Sequence, residues 1–573
     1  MFCGCLKFFF FQYLINNSLG DFFFTITVQL TFLQGWFLKL IDMFRVSTLK
    51  SVYILLLILS FNIIAGQSQK KSKPNVIFIV VDDLRPELGV YGNSTIKTPN
   101  IDKLARRGTT FTNAYCQVAV CAPSRASALT GLRPDSTKVW VLGEEFRKIH
   151  PDVVTIPQQF EKFNYHTVSI GKIFHNHMPD SISFREPDLR PEGYAVKNMI
   201  DRDPESFYFS GELKAELAAK RLERLAKDPK RYGNGWAYGR SVEVADCPDD
   251  SLYDGAQTSL TIQTINRIKN KKKPFFLALG YFRPHLPFVA PKKYWDLYDP
   301  MQIPMADNNF IPFNAPSMAM YNQREMTACY DLEYVKHPAY FRMPEKEARM
   351  LKHGYYASVS YVDACIGRLV DELEKQKLMD NTIIVLWGDH GWKLGEHNAW
   401  GKQTNYLNDT RVPLIVYAPG MKNPGSKNNE LVEMVDLYPT LCDLAGIETP
   451  AYLQGISFKK LLNENSVEWK GAVFSQFLRP AGEGIDLNKK NYMGYSMVTK
   501  SYHLIEWYYW DKVTQKPVEL VARELYNLTS DPKENFNIAV YPENKDILEK
   551  LSEQRKKGWK EVKNKLITNK SYQ

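Results

Sequence analysis

The sequence predicts an α/β fold, with a large, mainly parallel sheet flanked by helices and a smaller C-terminal α+β subdomain. Three observations carry that expectation. Short, nearly continuous β-branched and aromatic runs recur along the chain, as buried parallel strands require. Helical patterns lie between them, which is the alternation of a parallel sheet. After Gly446 the pattern changes to shorter β-like runs and one last helix.

The elements follow in order. Residues 1–66 stand apart, being rich in Phe, Leu and Ile with four Lys/Arg and two Asp/Glu. Within them Met43 restarts a secretory pattern. Arg45 and Lys50 give a positive start, Val52 to Ile64 an apolar run, and Ala65-Gly66 a small-residue end before QSQKKSKP. We expect a leader whose signal peptide spans 43–66, with 1–42 a mis-assigned upstream start. The competing expectation is a membrane anchor at Phe22 to Ile41. Residues 75–81 (NVIFIVV) then read as a buried strand that ends in Asp82-Asp83. Further strands are expected at Thr167–Ile170, Phe275–Leu279, Thr382–Leu386 and Leu414–Tyr417. Between Cys116 and Pro134, Pro123 breaks the preceding structure. Ser124 is expected to cap a short helix over Ala126–Thr130 that Gly131 stops. Cys121 would then sit just before a helix N-terminus, where backbone N–H groups favour an anion. The clearest helix is Tyr356–Leu378, with Val359, Val362, Ile366, Leu369 and Leu373 on one face. Residues 180–255 and 296–345 are weakly periodic and are expected to be long loops around a site mouth. The domain expectation is a catalytic domain over 74–445 and a subdomain over 446–573, with strands near Gly471–Phe477, Tyr495–Thr499 and Tyr502–Trp510.

Composition narrows the function classes. Charged residues are 24% and hydrophobic residues 44%, so the chain can bury a core and is not a disordered polymer. The mean hydropathy of -0.34 excludes a polytopic membrane protein. Net charge is +10, and +8 without residues 1–66. Part of it is the stretch Lys545 to Lys570, with nine Lys/Arg against four Asp/Glu; lacking stacking aromatics apart from Trp559, it reads as a solvated helix and not a nucleic-acid patch. No nucleic-acid partner is expected, and no stable membrane insertion once the leader is removed. Eight cysteines are scattered with no CxxC pair, which excludes a disulfide scaffold and a zinc site and leaves room for one or two bridges.

The chemistry collects around CAPSR, with Leu129-Thr130-Gly131 behind it. CAPSR fits the pattern C-x-P-S-R and lies between the strand-borne Asp82-Asp83 and Gly388-Asp389-His390-Gly391. On these residues the chain resembles the formylglycine-dependent sulfatases of arylsulfatase type, most closely their iduronate-2-sulfatase branch, from about Asn75 to Ala539. The resemblance implies an alkaline-phosphatase-like sandwich and a Cys121 oxidised to formylglycine (3-oxoalanine) by a formylglycine-generating maturation enzyme. It implies metal ligands at Asp82, Asp83, Cys121, Asp389 and His390. The oxygen-rich set suits one Ca²⁺ better than Mg²⁺, which demands tighter octahedral geometry. GKIFH supplies Lys172 and His175, YFRPHLPF supplies His285, and GEHNAWGKQTNY supplies Lys402. By the same resemblance Lys172, His285 and Lys402 hold the sulfate. Cys121, Arg125, His175 and His285 are the catalytic set, with His285 protonating the leaving oxygen and His175 or a nearby base helping the second hydroxyl release sulfate. The implied substrate is a sulfated carbohydrate, such as ulvan, carrageenan or a glycosaminoglycan, and the implied place is periplasmic or secreted. Arg283, Trp392 and Lys393 are candidates to hold a carboxylate or stack on a sugar, with loop packing as the alternative. The competing functions are a phosphatase or phosphonate hydrolase on the same scaffold, and a non-catalytic sugar-binding homologue.

Overall fold

The computed structural model describes residues 73–570 except 176–177, 193–203, 228, 230–238, 272, 465–466 and 483–489. The expected leader, signal peptide and alternative anchor lie outside the described residues. Among those described, no helix is long and apolar enough to cross a membrane.

The main sheet contains β1 (Asn75–Val81), β2 (Thr109–Tyr115), β3 (His166–Gly171), β4 (Glu186–Leu189), β5 (Phe275–Tyr281), β6 (Thr382–Gly388), β7 (Arg411–Tyr417), β8 (Lys427–Asn428) and β9 (Val432–Glu433). Its order is β8-β2-β7-β6-β1-β5-β3-β4, with β9 also on β2. Neighbours from β6 to β4 pair in parallel. β7 alone runs antiparallel to its two partners, β6 and β2.

The reason for this sheet is visible in the side chains of its centre. On β1, Ile77, Ile79 and Val81 enter one hydrophobic core, while Val76, Phe78 and Val80 enter the other. β5 and β6 divide in the same way: Leu277 and Leu279 against Phe276 and Ala278, and Ile384 and Leu386 against Ile383 and Val385. A strand that must be apolar on both faces gives the continuous run read from the sequence. One core is covered mainly by α3 (Tyr253–Ile268) and α4 (Glu345–Lys375), the other by α2 (Cys121–Thr130) and α5 (Leu437–Ala445). Two further helices are α1 (Pro99–Ala105) and α6 (Lys545–Lys570). The registers align Val81 with Tyr281 and Gly388, and Gly171 with Gly280. Residues that follow these strands therefore emerge at one level.

The C-terminal sheet is antiparallel: β10 (Val473–Arg479), β11 (Tyr492–Val498), β12 (Tyr502–Asp511) and β13 (Lys516–Asn527), in that order. Leu548 and Leu551 of α6 pack on it with Met497, Leu504 and Leu525.

Several expectations are corrected. β2 was not expected, since TTFTNAY is half polar; it is nonetheless buried between β7 and the short β8 and β9. α4 begins at Glu345, eleven residues before the expected Tyr356, because its first turns are polar and bury only Ala348, Leu351 and Lys352 before Gly354. Residues 180–255 are not only loop. They add β4, the helix Gly211–Lys227, and the strand Val242–Ala245 paired with Phe288–Pro291. Those elements are short, charged or shallowly buried, which hides their periodicity. β13 was also not expected, and its first third, Lys516–Glu519, is exposed. Among the described cysteines none forms a disulfide.

Candidate active site

The site lies at the C-terminal ends of the parallel strands, where open α/β sheets bind ligands. β1 delivers Asp82 and Asp83, β3 delivers Lys172, β5 leads to His285, and β6 delivers Asp389 and His390. The chain after β2 reaches Cys121. Backbone contacts hold these ends close: a Cβ on Gly280 would stand 1.8 Å from the carbonyl oxygen of Lys172, so only glycine lets β5 pass there.

Cys121 is the first residue of α2, not the residue before it. The cap position is Val120, which is extended and offers no side-chain cap. Ser124, expected as the cap, lies inside the first turn instead. Its hydroxyl donates to the Asp389 carbonyl (2.5 Å), and so ties α2 to β6. Pro123 is tolerated because the first turn of a helix has no internal acceptors for its N–H groups. Gly131 ends the helix as expected, with φ 68° and its N–H bonded to Ser127.

Around Cys121 the side chains are all buried. The sulfur lies 3.2 Å from His390 Nε2 and 3.6 Å from Lys402 Nζ. Lys402 Nζ donates to Asp83 Oδ1 at 2.6 Å, and Lys172 Nζ donates to Asp82 Oδ2. Arg125 braces three strand ends together. Its Nε donates to Asp389 Oδ2 (2.8 Å), its Nη1 to the carbonyls of Lys172 and Ile173, and its Nη2 stands 3.5 Å from Asp82 Oδ1. His285 reaches in from the β5 loop with Nε2 3.9 Å from Asp83 Oδ2, and its Nδ1 bonds to the Leu286 carbonyl.

The electrostatics follow from burial. Burial and the neighbouring Asp82 push the Cys121 thiol up, opposed by Lys172 and Lys402. Burial opposes the charge on Asp82, yet Lys172, His285 and Arg125 together hold its carboxyl well below the usual range. Burial raises Asp83 to about 6 against the pull of Lys402 and His285. His285 moves the other way, up to about 10: burial disfavours its charge, and Asp83 and Glu325 more than compensate.

The group Asp82, Asp83, Cys121 and His390 presents ligand atoms all within 4.8 Å of one another. Asp82 Oδ1 and Asp83 Oδ2 are buried with no hydrogen-bond partner, a costly state for a carboxylate oxygen unless a cation meets it. The cluster could therefore hold a metal ion, with the two carboxylates as its oxygen donors. Asp389 stands just outside this group. Its Oδ1 accepts from the backbone N–H groups of Asp83 (3.2 Å) and His390 (3.0 Å), and its Oδ2 from Arg125.

The structure thus brings together Asp82, Asp83, Cys121, Arg125, Lys172, His285, Asp389, His390 and Lys402. His175 is placed differently. It lines a cavity of about 290 Å³ beside α2, with Ala122, Ala126, Phe146, Arg147 and Phe174. Arg283, Trp392 and Lys393 resolve in favour of packing. Arg283 spends its guanidinium on three carbonyls, those of Phe207, His285 and Val289. Lys393 is buried against Asp409 and Thr404 (2.5 and 2.7 Å), and Trp392 is fully buried. Sequence reading missed Glu325, whose Oε1 lies 2.8 Å from His285 Nε2 and 3.0 Å from Lys402 Nζ. It comes from the stretch 296–345, where no periodicity or flanking strand marks it.

Comparison with known proteins places this arrangement. The sulfatase family model matches residues 74–447, and a model for the N-sulphoglucosamine sulphohydrolase C-terminal region matches 395–561. Human iduronate 2-sulfatase is 34% identical over 529 residues, covering 81% of this chain and 90% of that protein. A solved structure in complex with its substrate D-glucosamine-2-N,6-O-disulfate superposes with a TM-score of 0.60 at 22% identity, covering 86% of this chain and 99% of that one. Phosphonate monoester hydrolase of Agrobacterium radiobacter does so with 0.60 at 20% identity, covering 84% and 94%. The solved structures share the alkaline-phosphatase-like sulfatase fold. With the family model spanning most of the described residues, the strand-end cluster around Cys121 belongs to a member of the sulfatase family, a sulfuric ester hydrolase.

Proposed function

We propose that this sulfatase is exported and removes sulfate from a sulfated carbohydrate, using a formylglycine made from Cys121 and a bound calcium ion. The observation that carries the proposal is the convergence of Cys121 with buried cations and under-satisfied carboxylates at one end of the sheet. The carbohydrate class rests on the relatives, since the human relative is an iduronate 2-sulfatase and the superposed complex holds a glucosamine disulfate. Export rests on the pattern at 43–66. This reading keeps 446–573 as the smaller subdomain, although Ile447, Leu453, Phe458 and Leu461 pack in a core of the main sheet and the separate sheet begins at Val473.

The residues divide the work. Lys172 and Lys402 offer ammonium groups to the sulfate oxygens, and lower the repulsion an incoming nucleophile meets. His285 holds a proton at Nε2 for the leaving alkoxide, its ring fixed by the Nδ1 bond to Leu286. Arg125 keeps Asp82 and Asp389 in register with α2. His175, which lines the cavity beside Ala122, keeps in this reading the role of helping the second hydroxyl release sulfate. Asp82, Asp83 and His390 would hold the ion, with Asp389 behind them. Calcium, when bound, supplies positive charge that makes a neighbouring hydroxyl more acidic. In the modified residue a hydrated aldehyde would supply two hydroxyls in place of one thiol.

Two measurements test this reading. Mass spectrometry of the tryptic peptide Gly108–Arg125 is expected to show the loss of mass of a thiol replaced by an aldehyde at position 121. Sulfate release from defined sulfated oligosaccharides, followed by NMR, is expected to name the sugar and position. An unmodified Cys121 in fully active protein would refute the formylglycine part, and activity confined to non-sugar sulfates would refute the carbohydrate part.

A further inference from the structure

We propose that Glu325 is a specificity-determining residue that biases the site toward a monoanionic sulfate ester and against a dianionic phosphate ester. The starting observation is its position. Glu325 Oε1 lies within hydrogen-bond distance of both His285 Nε2 and Lys402 Nζ, the two groups that the proposed function, on which this inference rests, assigns to the leaving oxygen and the transferred group. Its side chain is 13% exposed, so little water screens it.

The contact is built into the loop. Gln323, one of the buried residues, precedes Glu325 by two positions. It accepts from the Trp400 N–H (2.7 Å), two residues before Lys402, and donates to the Lys336 carbonyl (2.8 Å). The Met326 N–H closes the turn on the Gln323 carbonyl at 3.0 Å. Glu325 is therefore carried by a bracket fixed to the same short segment that carries Lys402. The lysine and the histidine hold the carboxylate well below its usual range despite burial.

A fixed negative charge at that place acts on every anion bound there. A sulfate monoester carries one negative charge, whereas a phosphate monoester carries about −1.5 to −2 at pH 7. Both bind to the same cations, but the more negative ligand is repelled more by Glu325. The solved neighbours include a phosphonate monoester hydrolase, so the shared fold does not by itself choose sulfur over phosphorus. A side chain must contribute to the choice, and Glu325 has the charge and the address to do so.

The test compares 4-nitrophenyl sulfate with 4-nitrophenyl phosphate, which share a leaving group, on the full matured chain. Glu325→Gln keeps the shape and removes the charge. Its ratio of kcat/KM for sulfate over phosphate is expected to fall about tenfold, while Glu325→Asp stays within about threefold of wild type. A ratio unchanged in Glu325→Gln, with both rates falling together, would make Glu325 a structural bracket only. Both rates rising together would make it only an obstruction. Either result overturns the proposal. Wild-type turnover of the sulfate ester is read separately, so its failure would count against the activity and not against Glu325. If Glu325→Gln does not accumulate as folded protein, Glu325→Asn gives the same reading, with thermal unfolding as the check.

Discussion

Two buried ionic clusters in this protein are built from the same residue types and behave differently. One joins β9 to the C-terminal sheet. Glu433 accepts both Nη atoms of Arg133 (2.8 and 2.7 Å), Lys470 (2.8 Å) and the Phe474 N–H (3.0 Å). Asp436 accepts Lys470 on both oxygens and the N–H groups of Ile456 and Glu433. Every oxygen of these two carboxylates is satisfied. The other cluster is the site, where Asp82 Oδ1, Asp83 Oδ2 and Arg125 Nη2 are buried without a hydrogen-bond partner. The difference separates two uses of buried charge. In the first cluster only Arg133 Nε lacks a hydrogen-bond partner; its filled carboxylates fix geometry and have no acceptor to spare, whereas unfilled ones keep their cost until a ligand arrives.

That contrast can be broken from either side. The largest effect is expected at the site: Cys121→Ala should lower kcat/KM by about 10³-fold or more with little change in thermal unfolding. Next, Lys470→Met should leave two carboxylates facing one arginine and destabilise the fold by about 3 kcal/mol or more. It should show in thermal unfolding, with kcat of the surviving folded protein close to wild type. Third, metal should distinguish the clusters. Adding Ca²⁺ to chelated wild type at about a hundredfold excess over its Kd should stabilise it by about 2.7 kcal/mol. Asp83→Asn should lose that response and Lys470→Met should keep it; a calcium response retained in Asp83→Asn would remove the ion from this site. The smallest effect is on the surface. The hydrogen bond from Arg267, with help from His166, holds Glu186 down to about 2. Because the folded value is depressed, its contribution is present above the ordinary glutamate range and is lost as pH falls through about 2. The Glu186 side chain is 23% exposed, but that of its main partner Arg267 is 48% exposed, so solvent screens the pair; Glu186→Gln should cost at most about 0.5 kcal/mol at pH 7, shrinking toward zero at pH 2.

The legible parts of the sequence were those where one rule acts alone. Strands buried on both faces gave unbroken apolar runs, so β1, β3, β5 and β6 were readable, and so were the residues at their ends. β2 and β4 were not, because TTFTNAY and EPDL are part polar; Thr112 and Asn113 of β2 bond to Asn429, and Glu186 of β4 to Arg267, all far along the chain. The cap of α2 was misread for a related reason. Ser124 is a good cap by type, but the Asp389 carbonyl offered its hydroxyl a better partner. The nine site residues that cluster were each beside a strand end or a motif. Glu325 was beside neither, and its position depends on Gln323 finding Trp400, a contact that spans 77 positions. His175 was legible as a residue near the site, but its cavity was not.

One backbone angle has a wider consequence. Consecutive residues of a strand project to opposite faces, and β1 obeys this by feeding two separate cores. By that rule Asp82 and Asp83 should point apart. Asp83 instead has φ 57°, in the left-handed region, with its carbonyl accepting from the Tyr355 hydroxyl at 2.8 Å. The chain turns back within one residue, and two neighbours in sequence become neighbours in charge. A side chain that resists that angle, such as valine, would therefore misdirect a pair of oxygen donors at the cost of replacing one. Asparagine, which accepts the angle, removes a single charge and leaves the pair's aim intact.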